Sequence, residues 1–554
     1  MEADVVIVGA GAGGAACAWA LARHGVRVLL LESGGEYVPA RDNRLHLADW
    51  EQHPFPDDDK HTLPYRFGPL QPLQPQWDQL RSWSHVFGRR AGANRRAQKY
   101  HHVRGVGGST LHFSGEAHRL NPAAMQMQTR FGVAADWPLT YEQLEPFYVT
   151  AEQLIGVAGD ANDSLRPRSR DYPLPAHVHS YASQKIGLGC RKLGMSWTAN
   201  PLAILSRPWQ GRPACNYCGQ CARGCPRGDK GTADLTFVAR AVATGNCVLR
   251  SACHVSGIKP GGDDRVAQVR WIDAQGAEHA VAPRVLIIAC GAVQTPRLLL
   301  SVNDAAAPRG LGNESGQIGR NFMETLAWGS SALHPEALGS HRGVPADGIC
   351  WDFNAPDAVP GVPGGVRFNV GMAEADLAGP INYARRVATG WGRTHRANMK
   401  NSFGHVLSVG SIGEFLPNDG SYIDLDPGAP DQYGQPVARI FSRVDQPELR
   451  RLDFMAGKCR EILAAAGCDK PFEEFGTYDT FSATHVFGSC RMGRDARNSV
   501  VDENCRSHRW RNLYIADASV FPSSGGGESP SLTIAALAIR VGAHVRDRLA
   551  AREL

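Results

Sequence analysis

Four cysteines at short intervals are the residues of this sequence best suited to metal chemistry. Cys215, Cys218, Cys221 and Cys225, followed by Pro226, have the spacing C-x2-C-x2-C-x3-C-P. Bacterial ferredoxins use this run for an iron–sulfur cluster, because thiolates so spaced place their sulfurs around one cube of iron and sulfide. A structural zinc site usually takes two C-x-x-C pairs separated by a longer loop. The sequence therefore favours an iron–sulfur cluster, with zinc or a packed loop without metal as alternatives.

The same run leaves the number of iron atoms open. In two-cluster ferredoxins the fourth cysteine ligates the other cluster, and this chain has a single run of this kind. Either a 3Fe-4S cluster uses three of the four cysteines, or a 4Fe-4S cluster recruits all four or a remote cysteine. The other ten cysteines are scattered, and we expect them to be small, buried and inert rather than a disulfide framework.

A glycine-rich turn at the start of the chain predicts a second kind of site. The β-branched run Val5 to Val8 is typical of a buried parallel strand, and Gly9-x-Gly11-x-x-Gly14 turns it into a helix over Ala15 to Ala22. Glycine lets the backbone bend tightly and approach a pyrophosphate, which binds the N–H groups at the start of the helix.

An acidic residue completes this pattern. A second apolar strand, Val26 to Leu31, leads to Glu32, about 20 residues after the glycines, where a carboxylate can bind both ribose hydroxyls. Strand, helix, second strand and acid together predict dinucleotide binding. The alternative is a tight βαβ turn without a ligand.

Length and composition describe an ordinary globular protein. The chain has 554 residues, of which 43% are hydrophobic and 20% charged, and its formal net charge is +5. So small a charge does not indicate nucleic acid as a partner. We expect no leader before the first strand, and because no run of about 18 apolar residues occurs, we also expect no membrane span. The predicted location is the cytoplasm, or an exported site reached with the help of another protein.

A second glycine-rich stretch follows a long irregular region over 36–100. That region ends in a basic run from Arg89 to Arg104, which is either a solvated surface loop or charge compensation for a pyrophosphate or an anionic substrate. Paired glycines and small hydroxyl residues from Gly105 to His112 then provide a backbone surface that can lie flat against a ligand.

The remaining pattern predicts a mixed α/β architecture. Short strands that alternate with Gly/Pro turns over 325–475 suit an antiparallel sheet that carries substrate contacts. A strand over Leu513 to Ala518 includes the acid Asp517. The other predicted elements are helices over Tyr141 to Gly156, 181–194, Thr295 to Ser301 and Leu532 to about Arg552, strands of a meander over 247–258 and 266–272, and a buried strand over Val285 to Ala289.

Four separated pieces of the chain resemble the glucose–methanol–choline (GMC) oxidoreductases, a family that binds FAD. Their order and spacing extend over nearly the whole chain. The pieces are Gly9 to Glu32, Gly105 to His112, Ala289 to Pro296, and His485 to Ile534.

Smaller similarities point to a subgroup of that family. They are most similar to bacterial FAD-dependent sugar and sugar-acid dehydrogenase subunits. The segments concerned are Asp136-Trp137-Pro138, Leu144-Glu145-Pro146-Phe147-Tyr148 and Ile318-Gly319-Arg320-Asn321.

The resemblance implies an α/β fold (α+β overall), in which a Rossmann-like FAD-binding domain carries an inserted antiparallel-sheet substrate domain. The expected FAD-binding segments are 1–45, 95–130, 215–324 and 478–554. The expected substrate-binding and cover segments are 46–94, 131–214 and 325–477.

The resemblance also assigns cofactor contacts. Glu32 would hold the adenosine ribose, and the loop of Gly105, Val106, Gly107, Gly108 and Ser109 would lie along the isoalloxazine and the pyrophosphate. Asp517 would meet the ribityl or phosphate region. Arg104 and His112 border this loop and belong to the predicted FAD site. His112 is either a linkage point for covalent FAD, as in some sugar oxidases of the superfamily, or a histidine packed beside the flavin.

The expected reaction is oxidation of an alcohol carbon, in which the hydroxyl loses a proton and the C–H passes a hydride to flavin N5. The base should have a pKa near the working pH, which favours histidine. His485 stands where the family's catalytic histidine stands. Family members place a second His or Asn where this chain has Ser529. Serine can exchange one hydrogen bond with the substrate oxygen but cannot act as a second base.

The sequence thus predicts an FAD-dependent dehydrogenase that oxidises a sugar, glycoside or sugar acid. Electrons would leave through the iron–sulfur cluster to a cytochrome or quinone. The resemblance also implies a small partner subunit that can carry the export signal, which would allow a periplasmic location. The alternatives are an oxygen-using oxidase without a redox cluster and a non-catalytic flavoprotein electron-transfer or assembly subunit.

Overall fold

The computed structural model describes residues 3–53, 64–161, 166–371 and 377–554. Its helices are α1 (Ala12–Ala22), α2 (Pro39–Asp42), α3 (Met127–Phe131), α4 (Tyr141–Ile155), α5 (Tyr181–Lys192), α6 (Ala239–Ala243), α7 (Gly291–Leu300), α8 (Pro380–Arg386), α9 (Gly392–Ser402), α10 (Gln446–Ala466) and α11 (Ser531–Ala550). Its strands are β1 (Val5–Val8), β2 (Val28–Leu31), β3 (Tyr65–Phe67), β4 (Trp83–Ser84), β5 (Gly88–Arg89), β6 (Arg96–Tyr100), β7 (Ala158–Gly159), β8 (Leu174–Pro175), β9 (Thr198–Ala199), β10 (Cys247–Arg250), β11 (His254–Pro260), β12 (Val266–Ile272), β13 (Glu278–Val281), β14 (Val285–Ile288), β15 (Leu326–Leu333), β16 (Gly348–Cys350), β17 (Val366–Val370), β18 (Val406–Gly413), β19 (Tyr422–Pro430), β20 (Pro436–Phe441), β21 (Glu473–Gly476), β22 (Thr480–Ala483) and β23 (Leu513–Ile515).

Five parallel strands from distant parts of the chain form one sheet, in the order β10-β2-β1-β14-β23. Strands β1, β2, β14 and β23 are apolar and buried along their whole length, as expected of parallel strands with both faces covered. Helix α1 packs on this sheet and α11 packs on α1. The two helices approach closely at Gly542, where there is no side chain. A Cβ there would lie only 2.7 Å from the Cβ of Ala20.

An eight-stranded antiparallel sheet forms the second layer, in the order β5-β4-β21-β15-β18-β17-β16-β9. Most of its strands come from the 325–475 region, so the predicted antiparallel sheet is confirmed. Helix α10 packs on β15 and β18 and also contacts α5. Together with the parallel sheet, this confirms the α/β (α+β overall) fold class.

Several predicted elements have different boundaries or partners. The strand Cys247–Arg250 pairs in parallel with β2 and so belongs to the parallel sheet, whereas the meander consists of β11, β12 and β13. Helix α1 begins at Ala12 because Gly11 is extended and serves as its N-cap. The second strand begins at Val28 rather than Val26.

Helix α7 begins at Gly291, earlier than the predicted Thr295. Pro296 therefore lies inside the helix, where it lacks the N–H that an interior helical position normally donates. In the structure the Ala292 carbonyl, four residues before that proline, accepts a hydrogen bond of 2.8 Å from the Ser489 hydroxyl. A side chain from a distant segment thus satisfies the carbonyl that proline leaves without its usual donor.

The 325–475 region also contains helices α8, α9 and α10, which the strand-and-turn prediction missed. In α10 the apolar residues recur at helical spacing, so the signal was present in the sequence. The buried apolar residues of α10 are Leu449, Leu452, Met455, Ala456, Cys459, Ile462, Leu463 and Ala466.

The region 36–100, predicted to be irregular, contains α2, short strands β3 to β6 and two 3-10 turns. Part of it, 54–63, lies outside the described residues, as do 162–165 and 372–376 within the predicted substrate segments. The domain boundaries stay a prediction. Within the described part of the chain, no helix is both long and apolar enough to cross a bilayer.

Candidate active site

A cavity of about 980 Å³ lies where the two layers meet. Residues at the carboxyl ends of β1, β2 and β14 line one part of it, and residues of β15 and β18 line another. Ligands of open parallel sheets bind at this end of the strands. The predicted site residues Gly9, Gly11, Glu32, Arg104, Gly108, Ser109, His112, His485, Asp517 and Ser529 all line this cavity.

The first glycine loop leaves no room for side chains at Gly9 and Gly14. Gly9 has φ +102°, and a Cβ there would lie 2.4 Å from the Ala289 carbonyl oxygen. A Cβ on Gly14 would lie 1.9 Å from the Gly9 carbonyl oxygen. Gly11, by contrast, has only the Cα of Gly108 within 4 Å of its Cβ position, at 3.9 Å. The loop therefore closes the strand–helix turn at Gly9 and Gly14 and keeps its backbone open to the cavity at Gly11.

The second glycine loop lies against the first. Gly107 and Gly108 have φ of +104° and +54°, and a Cβ on Gly108 would lie 2.8 Å from the Gly11 Cα. The Gly107 N–H donates to the Ala10 carbonyl at 3.0 Å, which joins the two loops. Gly107 itself faces Asp234 and Leu111, so its conformation shapes the loop whereas Gly108 and Ser109 border the cavity.

Glu32 is anchored by the backbone around it. Its carboxylate accepts hydrogen bonds of 2.8 Å from the N–H groups of Ala10 and Gly34. Burial raises the pKa of Glu32, and these N–H groups and Arg104 oppose that shift. The carboxylate thus borders the cavity in a fixed orientation, as a ribose-binding acid requires.

Asp517 is also held by the protein. Its carboxylate accepts from the Gly291 N–H at 2.9 Å, the Thr295 hydroxyl at 2.6 Å and the Ser519 N–H at 2.8 Å. It therefore ties the end of β23 to the start of α7, at the wall of the cavity. Burial raises the pKa of Asp517, against the effect of these donors.

The residues present fit a polar dinucleotide such as FAD. Among the described residues, several buried nitrogens of cavity-lining side chains have no hydrogen-bond partner, including Nε of Arg104 and Nε2 of His112. Buried polar groups in native proteins are normally paired, so these atoms call for a polar ligand. Burial and the nearby Lys230 ammonium lower the pKa of His112 to about 3, which makes its ring neutral.

His485 lines the same cavity, and its backbone is clamped by Thr325. The Thr325 hydroxyl donates to the His485 carbonyl at 2.9 Å and accepts from its N–H at 2.8 Å. Burial lowers the pKa of His485 to about 4, an effect opposed by Glu116 and reinforced by Arg367. The imidazole is therefore neutral at pH 7 and able to accept a proton.

Ser529 lies in a cluster that the sequence did not reveal. Its hydroxyl donates to the Glu116 carboxylate at 2.9 Å, and its N–H donates to Nδ1 of His118 at 3.0 Å. Arg367 donates to the same Glu116 carboxylate at 2.7 Å. Glu116 and Arg367 are separated by 251 residues and belong to no recognisable motif, so only the fold brings them together.

The four cysteines share one loop. Each of the other three thiols acts electrostatically on Cys221, which is buried among apolar side chains, whereas Cys218 is exposed. Within residues 3–53, 64–161, 166–371 and 377–554, no three His, Cys, Asp or Glu side chains converge on a point that could hold a metal ion. Cysteine thiolates are the soft ligands that iron–sulfur clusters use, but in this structure the four thiols do not converge on one point.

The cysteine loop borders the cavity. Ala222 and Arg223 line the cavity wall. The buried Lys230 ammonium donates to the carbonyls of Cys221 at 2.6 Å, Leu111 at 3.0 Å and Phe113 at 3.0 Å. One side chain therefore links the cysteine loop to the segment on either side of His112.

Comparisons with known proteins agree with this geometry. Two family models described as GMC oxidoreductase match residues 6–327 and 417–538. The fructose dehydrogenase large subunit of Gluconobacter japonicus is 27% identical, with 98% of this chain and 97% of that protein covered. The 2-methyl-1,2-propanediol dehydrogenase of Mycolicibacterium austroafricanum is also 27% identical, with 99% and 96% covered. The crystal structure of pyridoxine 4-oxidase from Mesorbium loti has the same fold, with a TM-score of 0.64, 17% identity and 99% of each chain covered.

The fold and the cavity are those of an FAD-dependent oxidoreductase, as predicted. The matched models cover well over half of the sequence. The chain belongs to the GMC oxidoreductase family, whose members oxidise alcohol groups.

Proposed function

We propose that this protein oxidises a hydroxyl-bearing carbon of a sugar, glycoside or sugar acid, with His485 as the base. The observation that carries the proposal is a neutral, backbone-clamped imidazole at the wall of the cavity that holds the glycine cradle. A base must be in reach of the substrate and unprotonated at the working pH. His485 is unprotonated at neutral pH, and it lines the cavity in which a substrate would be within its reach.

The rest of the cavity wall supports a polyhydroxylated substrate. A Cβ on Gly329 would meet nothing within 4 Å, so β15 leaves room above it. Side-chain hydroxyl and amide groups line the same cavity and can exchange hydrogen bonds with several substrate hydroxyls. These groups belong to Thr325, Ser331, Asn369, Ser408, Ser411 and Thr484. The similarity to the fructose dehydrogenase large subunit agrees with a sugar as substrate.

The side chains of this protein have a limited task in the reaction. His485 takes the proton of the substrate hydroxyl, and the glycine loops, Glu32, Arg104 and Asp517 would hold FAD. Bound FAD supplies the hydride acceptor at its N5 atom. Ser529 lines the same cavity, but its hydroxyl hydrogen is directed to Glu116, so it can only accept a hydrogen bond from a substrate hydroxyl.

The pKa of His485 predicts how the reaction depends on pH. Since His485 must be neutral to accept the proton and its pKa is about 4, we expect flavin reduction to accelerate as the pH rises through about 4 and to be level near neutral pH. Anaerobic stopped-flow measurements of flavin bleaching from pH 3.5 to 8 test this. A midpoint near 6.5, the ordinary value for histidine, would contradict a buried, desolvated base.

We further propose that Cys215, Cys218, Cys221 and Cys225 hold an iron–sulfur cluster of three or four irons. The spacing, the shared loop and the link through Lys230 to the segment around His112 support this. Such a cluster, when bound, accepts electrons one at a time. An external acceptor such as a cytochrome or a quinone, and a small partner subunit, would then complete the system. The cytoplasmic or periplasmic location stays a prediction.

Iron analysis tests the cluster directly. In protein purified without oxygen we expect about three or four irons per flavin, with matching acid-labile sulfide and an EPR signal. Cys221→Ser should lose the iron and keep the flavin. Cys468→Ser, at a scattered cysteine far from the loop in sequence, is the matched control and should keep both. Flavin without iron in the unchanged protein would contradict the cluster and favour the oxidase.

The substrate class is tested by anaerobic mixing with a panel of sugars, glycosides, sugar acids and simple alcohols. We expect flavin bleaching by at least one polyhydroxylated compound at a rate above that of simple alcohols. The reduced enzyme should then react faster with a quinone or ferricyanide than with oxygen. Rapid reoxidation by oxygen with formation of peroxide would favour the oxidase instead.

A further inference from the structure

Glu116 is a buried carboxylate at the wall of the cavity, only 4% exposed. One of its oxygens accepts from Arg367 at 2.7 Å and from the Ser529 hydroxyl at 2.9 Å. The other accepts from the Asn200 amide at 3.0 Å and from Asn369 at 3.4 Å. Although burial opposes it, the charge of Arg367, the nearby His118 and His485 and the Ser529 hydrogen bond lower the pKa of Glu116 to about 2. Glu116 is therefore a fixed negative charge at every working pH.

A second layer of hydrogen bonds fixes the orientation of this charge. Nδ1 of His118 accepts the Ser529 N–H at 3.0 Å, so the proton of the neutral ring is on Nε2. That Nε2–H donates to the Asn200 side-chain oxygen at 2.7 Å, which turns the Asn200 NH₂ towards Glu116. Burial lowers the pKa of His118 to about 3, so that the ring adds no charge of its own.

The catalytic machinery makes no direct use of this charge. Ser529 donates its only hydrogen to Glu116 and is left with lone pairs, so it cannot donate a hydrogen bond to an alkoxide. The family's His or Asn at this position could do so. An ionised carboxylate beside the substrate oxygen would also disfavour an alkoxide. The role of the cluster must therefore lie in its effect on another group.

That group is His485. Glu116 and His485 line the same cavity. Among the described residues, the charges that act on His485 are those of Glu116 and Arg367, and their effects are opposite: Glu116 favours the protonated ring and Arg367 disfavours it. Among the described residues, Nδ1 of His485 is buried and has no hydrogen-bond partner. No carboxylate in the described part of the chain is hydrogen-bonded to the ring, so Glu116 acts on it through space.

We propose that Glu116 is a positioning residue that stabilises His485 electrostatically while His485 holds the substrate proton. The proposal rests on the proposed role of His485 as base. The proton passes from the substrate hydroxyl to the imidazole, the O–H bond breaks and an N–H bond forms, and the hydride with its two electrons goes to bound flavin. Glu116 remains ionised throughout. It compensates the positive charge that appears on the ring.

Two substitutions with opposite effects test this. Glu116→Gln keeps the shape and removes the charge, so the acid limb of flavin reduction should move to lower pH by about one unit or more. The plateau rate should fall about three- to tenfold, because a weaker base drives proton transfer less. Arg367→Gln removes the opposing charge but keeps an amide donor, so its acid limb should move to higher pH.

Glu324→Gln is the matched control. Glu324 forms a buried ion pair of 2.7 Å with Arg95 but does not line the cavity. Its substitution should lower the melting temperature without moving the acid limb. Melting temperature and flavin content of all variants separate loss of fold from loss of charge. Because the acid limbs of the Glu116 and Arg367 variants are predicted to shift in opposite directions, either variant remains informative if the other does not fold.

The outcomes distinguish a failure of the role of Glu116 from a failure of the role of His485 as base. Opposite movements of the two acid limbs support the role of Glu116. Acid limbs that do not move, with or without a slower plateau, overturn it and leave Glu116 as a structural residue. If His485→Ala reduces flavin at the normal rate, the base has been assigned wrongly, and the proposed function fails independently of the result for Glu116.

Discussion

His485→Ala is expected to slow the reduction of bound flavin by substrate about 10²- to 10⁴-fold, the usual contribution of a general base. The physical reason is that alanine leaves no group at this position to take the hydroxyl proton while hydride leaves the carbon. The measurement is the rate constant of flavin bleaching after anaerobic mixing. Flavin content should be unchanged, because within the described part of the chain the side chain of His485 makes no hydrogen bond to the glycine loops, and its backbone is held by Thr325.

A matched control separates this effect from a general loss of packing. His544 is a half-buried histidine on α11, packed near Tyr514 and outside the cavity. His544→Ala removes the same side chain and should leave flavin reduction unchanged. Normal reduction by His485→Ala would contradict its role as base and favour the non-catalytic flavoprotein.

Gly14→Ala is expected to weaken FAD binding about 10- to 100-fold, since overpacking costs about 1–3 kcal/mol and about 1.4 kcal/mol corresponds to tenfold in affinity. The added Cβ would lie 1.9 Å from the Gly9 carbonyl oxygen and 3.2 Å from the Ala289 side chain. The start of α1 must then move away from β1. Its N–H groups, which are expected to bind the pyrophosphate, move with it. Flavin-to-protein ratio and FAD titration of the apoprotein measure the effect.

Gly457→Ala is the corresponding control. Gly457 lies inside α10, where an added Cβ meets nothing within 4 Å. Alanine is the better helix former, so this variant should bind FAD normally and melt at the same temperature or higher. Full flavin content in Gly14→Ala would show that the turn tolerates a side chain and that the close approach of helix and strand is not required for binding.

Local patterns were sufficient for much of the cofactor site. The run Val5 to Val8, the glycines after it and Glu32 lie within about thirty residues, and each follows from strand burial, turn geometry or the position of an acid after a strand. The boundaries were less accurate where a distant segment supplies a partner. The Ser489 hydroxyl allows α7 to begin before its proline, and the strand Cys247–Arg250 pairs with β2 of the parallel sheet rather than with the meander.

His485 and Ser529 were located by resemblance to a family, and no spacing rule would have selected them. The resemblance covered the positions that the family shares and therefore could not indicate Glu116, where the charge of this site lies. A buried carboxylate needs partners to offset its desolvation. Here the partners are Arg367, Asn200 and Ser529, which come from three other segments of the chain.

The sequence by itself determined the dinucleotide turn, the mixed α/β class and the cysteine spacing. These depend on interactions between residues close along the chain, such as backbone geometry, side-chain periodicity and the reach of a short loop. Only the tertiary structure decided that His485 is neutral, that Ser529 donates its hydrogen to Glu116, and that Lys230 connects the cysteine loop to the segment around His112. Protonation and hydrogen-bond direction depend on burial and on charges brought close by folding, and neither is encoded in a local pattern.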